Sequence, residues 1–291
     1  MNDYLLSLLL GVIEGLTEFL PVSSTAHLRI SEAVLGVDLG NGYWKMFSIV
    51  IQLGAILCLP IFFRKRIADF LRTFPRGANG DRTVLTHPLS LILLAFIVTA
   101  VPAFLLTKVI GKHLESLAIM GASLLVGGIV MWIVDALYDR GIPRRRTEDI
   151  EYIRPLQSIW IGFCQIFSAV FPGTSRSMAT IAAGQLAGMS RSAALEFSFF
   201  LSMPTMAAAT LYDLLRSLRS PKEGGHPIGT APANPHEWVV LAIGFVVSFI
   251  VAYAVVAWFI NWVRKRGFVP FAVYRIVLGI AVLVWASRLT G

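Results

Sequence analysis

Six apolar stretches of this chain, 43–63, 87–110, 117–134, 192–215, 237–263 and 268–286, are long enough to cross a bilayer as helices. Two further apolar runs, 4–13 and 156–171, fall short of the roughly 20 residues that a crossing needs. Each short run leads into a proline, Pro21 or Pro172, which cannot continue a helix. A few small polar residues follow, and then a second short helix. The pattern predicts two helix–turn–helix pairs that enter the membrane, stop part way and return, placed among six spanning helices. The fold class is an all-α integral membrane protein, a single polytopic domain over 1–291.

An internal similarity runs beneath this pattern. A shift of 151 lays Gly11, Glu14, Pro21 and Ser24 over Gly162, Gln165, Pro172 and Ser175. The division expected is a first repeat of about 1–134, a charged cytoplasmic linker of about 135–154, and a second repeat of about 155–291. Three spans separate the two broken pairs, so the second pair enters from the opposite face. This is an inverted-topology repeat whose turns meet near the bilayer midplane.

Composition narrows the class. Hydrophobic residues make up 56% of the chain and charged residues 14%, which excludes a soluble enzyme. The net charge of +8 does not indicate nucleic acid, because Lys and Arg sit mostly in short loops beside the spans. One set of loops holds Arg64, Lys65, Arg66, Arg72, Arg76, Arg82, Arg140, Arg144, Arg145, Arg146, Arg154, Arg264, Lys265 and Arg266. The other holds Lys45, Lys108, Lys112, Arg216, Arg219 and Lys222. The positive-inside rule places the first set in the cytoplasm, with both termini and the mouth of the first turn outside. Met1-Asn-Asp has no signal-peptide character, so the first apolar run is expected to stay in the mature chain. Cys58 and Cys164 lie in apolar runs and read as packing residues. His87, His113, His226 and His236 lie at span ends or in loops and read as interfacial or solvated.

The chemistry is concentrated in the two turns. Glu14 and Glu18, four apart, share a helix face, and Ser24 and His27, three apart, share a face of the returning helix. Two carboxylates facing a hydroxyl and an imidazole can hold a divalent cation, activate a nucleophile, or both. The plainer alternative is a capped helix break, with Ser23 or Ser24 as the cap and the glutamates reaching for the interface. Capping accounts for the serines but for neither glutamate, since a charge at the bilayer centre costs about 2.5–3.5 kcal/mol. In the second turn, Gly173 allows close approach of a ligand, Thr174 or Ser175 can cap a helix, and Arg176 offers a planar fork suited to phosphate. Such a turn alone is more often only a cap. Opposite the Glu pair and the Ser/His pair, it reads as a phosphoryl-transfer site. A transporter or lipid flippase is the alternative, because inverted repeats with broken helices also build carriers.

The stretch Glu14-Gly-Leu-Thr-Glu-Phe-Leu-Pro-Val-Ser-Ser-Thr-Ala-His27, together with 51–56, Pro172-Gly-Thr-Ser-Arg-Ser177 and Glu196-Phe-Ser-Phe, closely resembles the bacterial undecaprenyl-pyrophosphate phosphatases of the bacitracin-resistance type. The resemblance implies hydrolysis of undecaprenyl pyrophosphate at the outer side of the bacterial cytoplasmic (inner) membrane, with the site mouth facing the periplasm, recycling the lipid carrier of peptidoglycan synthesis. It implies a divalent cation, Mg²⁺ or Ca²⁺, for which Glu14 and Glu18 are the candidate ligands. It also implies functional roles for Glu14, Glu18, Ser24, His27 and Arg176, with Ser23, Thr25, Gln52, Gly173, Thr174, Ser175 and Ser177 beside the phosphates. Ala26 and Met178 stand where that family commonly has glycine, so access is expected to be tuned. Ser24 as nucleophile with His27 as base is the preferred mechanism, and His27 as nucleophile its rival. The partners expected are the polyprenyl pyrophosphate and the bilayer, with no nucleic acid and with a homodimer admitted.

Overall fold

The computed structural model describes residues 2–38, 41–106, 116–141, 147–218 and 229–290. Among them the regular elements are all helices. The first is α1 (Asp3–Thr17), started by Asn2, whose side chain accepts from the Tyr4 N–H, and ended at Glu18, three residues before Pro21. The chain turns and returns as α2 (Ser24–Val34). It continues through α3 (Gly42–Phe62), the basic amphipathic α4 (Arg64–Thr73), α5 (Pro88–Leu105) and α6 (Leu117–Asp139). After a 3-10 turn (Ile150–Tyr152), the second short pair is α7 (Pro155–Val170) and α8 (Arg176–Leu186). The chain finishes with α9 (Arg191–Leu218), α10 (Pro235–Arg266) and α11 (Val269–Thr290).

Six of these helices, α3, α5, α6, α9, α10 and α11, have the length and hydropathy to cross a membrane. At 15 and 16 residues, α1 and α7 do not. The chain is a multi-pass, all-α membrane protein. Some boundaries move from those expected. α6 runs on to Asp139, so the segment expected as a linker from 135 starts inside a helix, and Arg264, Lys265 and Arg266 form the last turn of α10. Lys108, Lys112, His113, Arg144, Arg145, Arg146, Arg219, Lys222 and His226 lie outside the described residues.

Helix pairing depends on small residues that let backbones approach, the usual device where lipid offers no hydrophobic drive between helices. α1 lies along α10, where a Cβ on Gly11 would come within 2.8 Å of the Gly244 carbonyl oxygen. α7 lies along α5, where a Cβ on Gly162 would come within 2.5 Å of the Ala95 carbonyl oxygen. The hydroxyl of Thr99 donates to the Gly162 carbonyl at 2.7 Å, adding a buried polar tie between the two helices.

The two short pairs start from different ends of the bundle. His236 at the start of α10 is 3.1 Å from Asp3, and the Tyr43 hydroxyl at the start of α3 donates to the Glu237 carbonyl, so α1 begins at that end. At the other end, Arg66 of α4 pairs with Asp149 and Glu196, and Gln157 in the first turn of α7 donates to the Ala187 carbonyl. Asp135 also lies at that end and is fully buried rather than in a loop. It accepts from Arg191 Nε at 2.8 Å, from Gln185 Nε2 at 3.2 Å, and from the Phe268 and Val269 N–H groups that open α11. His87 departs from the interfacial expectation as well. It is buried against Phe70 and Phe74 and caps α5 by accepting from the Leu89 N–H.

Candidate active site

Both turns are built alike. Among the described residues, Ser23 and Ser175 are the two non-glycine residues with positive φ, at 76° and 69°. Each is an N-cap: Ser23 Oγ accepts from the Ala26 N–H, and Ser175 Oγ from the Met178 N–H. A non-glycine residue held there costs about 1–3 kcal/mol, and such strain gathers at functional sites. Ser24 and Arg176 are therefore the first residues of α2 and α8, the same place in two turns. The sequence shift of 151 sets Ser24 against Ser175, whereas the caps pair Ser23 with Ser175. The second turn carries one residue more after its proline.

The turns meet at Glu18. One carboxylate oxygen accepts from Ser24 Oγ at 2.6 Å, and the other lies 3.3 Å from an Arg176 guanidinium nitrogen. Arg176 also donates to the Ser198 carbonyl on α9 at 3.4 Å, while its Nε is buried with no partner among the described residues. Glu14, one turn before Glu18, is fully buried, and among the described residues neither of its carboxylate oxygens meets a hydrogen-bond donor. The acidic neighbours it feels are Glu18 and Glu32. Ser177 Oγ donates to the Leu20 carbonyl at 2.9 Å and lies 3.0 Å from Ser175 Oγ, closing the junction.

The structure thus brings Glu14, Glu18, Ser24 and Arg176 together, with Ser23, Ser175 and Ser177 around them. It does not bring His27 to the Ser24 hydroxyl. His27 Nδ1 is 2.7 Å from the Ser23 carbonyl oxygen, and its Nε2 is 2.7 Å from the Tyr274 hydroxyl. The expected pairing of Ser24 with His27 is not the contact made: three residues along α2 places the ring on the flank held by α11, and the serine hydroxyl turns back to Glu18. Gly173, at φ 93°, and Thr174 form the wall of the second turn. Thr25 is exposed and Gln52 is half-buried on α3, and no hydrogen bond ties either to Glu18, Ser24 or Arg176.

A buried arginine that the sequence reading passed over holds the turns in place. Arg275, in the middle of α11 and fully buried, donates to the carbonyls of Pro21 at 3.1 Å, Gly173 at 3.1 Å, Thr174 at 2.9 Å and Ser123 at 3.2 Å. It ties the first turn to the second and both to α6. The signal was present in the sequence, since an arginine inside the apolar run 268–286 is as costly as Glu14 and asks for the same explanation. Behind the second turn, an apolar groove of about 610 Å³ between α6, α7 and α8 reaches Thr174 and Met178. Arg176 contacts Glu18 and α9 rather than this groove.

Chemically, this is a hydroxyl with a carboxylate in position to take its proton, an arginine fork across from it, and a second carboxylate whose oxygens the protein leaves unpartnered. The unpartnered Glu14 suits a cation. Among the described residues no three Asp, Glu, His or Cys side chains cluster as a metal cage. Two carboxylates completed by phosphate oxygens and water form the usual Mg²⁺ arrangement, so the residues present fit a divalent ion.

Residues 7–281 match the family model described as bacitracin resistance protein BacA. An undecaprenyl-diphosphatase of Koribacter versatilis is 68% identical over 99% of this chain and 100% of its own length. One from Sorangium cellulosum is 43% identical over 96% of this chain and 85% of its own, and one from Neisseria meningitidis serogroup C is 36% identical over 97% and 95%.

Proposed function

The chain belongs to the bacitracin resistance protein BacA family, and from that premise we propose that it hydrolyses undecaprenyl pyrophosphate to undecaprenyl phosphate and inorganic phosphate, thereby conferring bacitracin resistance. The observation that carries this reading is the junction at Glu18, which holds the Ser24 hydroxyl on one oxygen and Arg176 on the other.

Ser24 Oγ attacks the terminal phosphorus, and its proton passes to Glu18 Oε2. The bond to the bridging oxygen breaks, undecaprenyl phosphate departs, and Glu18 hands the proton to that departing oxygen. The phosphorylated Ser24 is then hydrolysed by water, with Glu18 again the base. General base help of this kind is worth about 10²–10⁴-fold. Arg176, through its unpartnered Nε, steadies the phosphoryl oxygens as charge shifts in the transition state. Glu14 and Glu18 would hold a divalent cation, which when bound supplies charge neutralisation on the pyrophosphate. His27, with both ring nitrogens engaged, takes no part as nucleophile or base.

The Arg-rich end, with Arg66, Arg154 and the last turn of α10, is the cytoplasmic one by the positive-inside rule. In a bacterial inner membrane the start of α1 and the mouth of the first turn then face the periplasm. The similar caps, the matching α1–α10 and α7–α5 pairings and the opposite starting ends support an inverted repeat. The test is phosphate release from undecaprenyl pyrophosphate by purified protein in detergent. We expect release that stops with chelator and falls at least about 100-fold in Ser24→Ala and Arg176→Ala. Release that persists in both folded variants would remove the site from this junction.

A further inference from the structure

Tyr274 of α11 is 46% exposed, and its hydroxyl lies 2.7 Å from His27 Nε2. The hydrogen-bond roles along this contact are fixed by the far end of the imidazole. His27 Nδ1 lies 2.7 Å from the Ser23 carbonyl oxygen, which can only accept, so Nδ1 carries a proton. In the neutral ring Nε2 then holds the lone pair, and the tyrosine O–H donates to it. A chain of two hydrogen bonds runs from Tyr274 through His27 to the backbone of Ser23.

Ser23 is the strained cap of α2, and its carbonyl receives both the imidazole N–H and the His27 backbone N–H, the latter at 3.2 Å. That carbonyl belongs to the peptide plane joining Ser23 to Ser24. Fixing its direction fixes the plane, and with it the angle at which Ser24 leaves the turn toward Glu18. The neighbouring residue on α11 works on the other side of the same turn, since Arg275 holds the Pro21 carbonyl. Two consecutive residues of one helix therefore act on the two carbonyls that bracket Val22 and Ser23, Arg275 directly and Tyr274 through His27.

We propose that Tyr274 is a positioning residue for the reaction: it holds His27 as the Nδ1–H tautomer, which pins the Ser23 carbonyl and aims the Ser24 hydroxyl at Glu18. This rests on the phosphatase reading for its kinetic consequences, though not for the tautomer itself. His27 acts through the backbone, and its ring nitrogens need not meet the substrate.

The experiment uses full-length protein in detergent, with undecaprenyl pyrophosphate as substrate and the variants Tyr274→Phe, His27→Asn, His27→Gln and Tyr274→Phe/His27→Asn. Tyr274→Phe should lower kcat by about 10-fold or more with KM changed less than about twofold, the size of effect seen when an orienting partner is lost. His27→Asn, whose amide can place an N–H where Nδ1 sits, should keep far more activity than His27→Gln, which cannot. Adding Tyr274→Phe to His27→Asn should cost nothing further, because Nε2 is no longer there to receive its hydroxyl. Wild-type kcat in Tyr274→Phe, equal losses in the two His27 variants, or independent losses in the double variant would each overturn the proposal. Histidine-selective ¹⁵N spectra give a reading that needs no turnover: His27 should show the Nδ1–H tautomer in the wild type, and an Nε2–H tautomer would overturn the proposal. Absence of phosphate release with the Nδ1–H tautomer present would count against the phosphatase reading, and with it the kinetic role of Tyr274, while the tautomer and its hold on the Ser23 carbonyl would stand.

Discussion

At the scale of single residues, the site is a set of groups that are each expensive in a membrane and compensated by one another. Glu18 is matched by Arg176 and Ser24, whereas Glu14, beside Glu18, has no ion pair among the described residues and is the group that asks for a ligand. Arg275 is different in kind. Its charge meets only carbonyl oxygens, four of them, so its work is to fix backbone. Replacing Arg275 by Met should destabilise the protein by at least about 3 kcal/mol, since each buried carbonyl left without a donor costs about 1–3 kcal/mol. Lys at this position should recover only part, because one ammonium cannot reach the carbonyls of both turns. Thermal melting of the purified variants in detergent measures this, and a melting point unchanged in Arg275→Met would contradict it. Glu14, Glu18, Ser24 and Arg176 were legible in the sequence from residue type and spacing. The partner of Ser24 was not, because helical spacing gives a shared face but not the direction in which a serine at the first turn points. Arg275 was legible as a costly charge inside an apolar run, but its pairing with the two turns, like that of Tyr274 with His27, spans about 100–250 positions and lies beyond any local pattern.

At the scale of elements, apolar length separated the six helices long enough to cross from the two that are shorter, and the prolines marked both breaks. The helix ends were less legible. Asp135 looked like the first residue of a charged loop, yet it is the buried acceptor on which α6, α8, α9 and α11 converge. A carboxylate at the end of an apolar run has the same sequence signature whether it faces water or caps a neighbouring helix. His87 shows the same ambiguity at the start of α5. Its burial pulls the imidazole below the ordinary histidine value, with Arg82 acting in the same sense and Glu151 against it. The folded state thus disfavours the proton that the unfolded chain accepts near pH 6.5. The stability this contributes is complete above that pH and declines as the pH falls toward the lowered folded value. Melting temperature should therefore drop more steeply between pH 7.5 and 5.5 in the wild type than in His87→Gln, and parallel curves would contradict this account.

At the scale of the whole molecule, two short helix pairs starting at opposite ends of the bundle deliver one serine and one arginine, each the first residue of its returning helix, to a single carboxylate. Architecture of this kind serves carriers as well as enzymes, and it is the residues at the junction that favour chemistry over transport. The central claim is that Ser24, relieved of its proton by Glu18, is the group that attacks. The direct measurement is rapid quenching of the purified protein with undecaprenyl pyrophosphate labelled in its terminal phosphate, followed by mapping of the protein-bound label. We expect an acid-stable phosphoserine at Ser24, absent in Ser24→Ala and formed far more slowly in Glu18→Gln. An acid-labile label on His27, or a full turnover with no label on the protein, would contradict it.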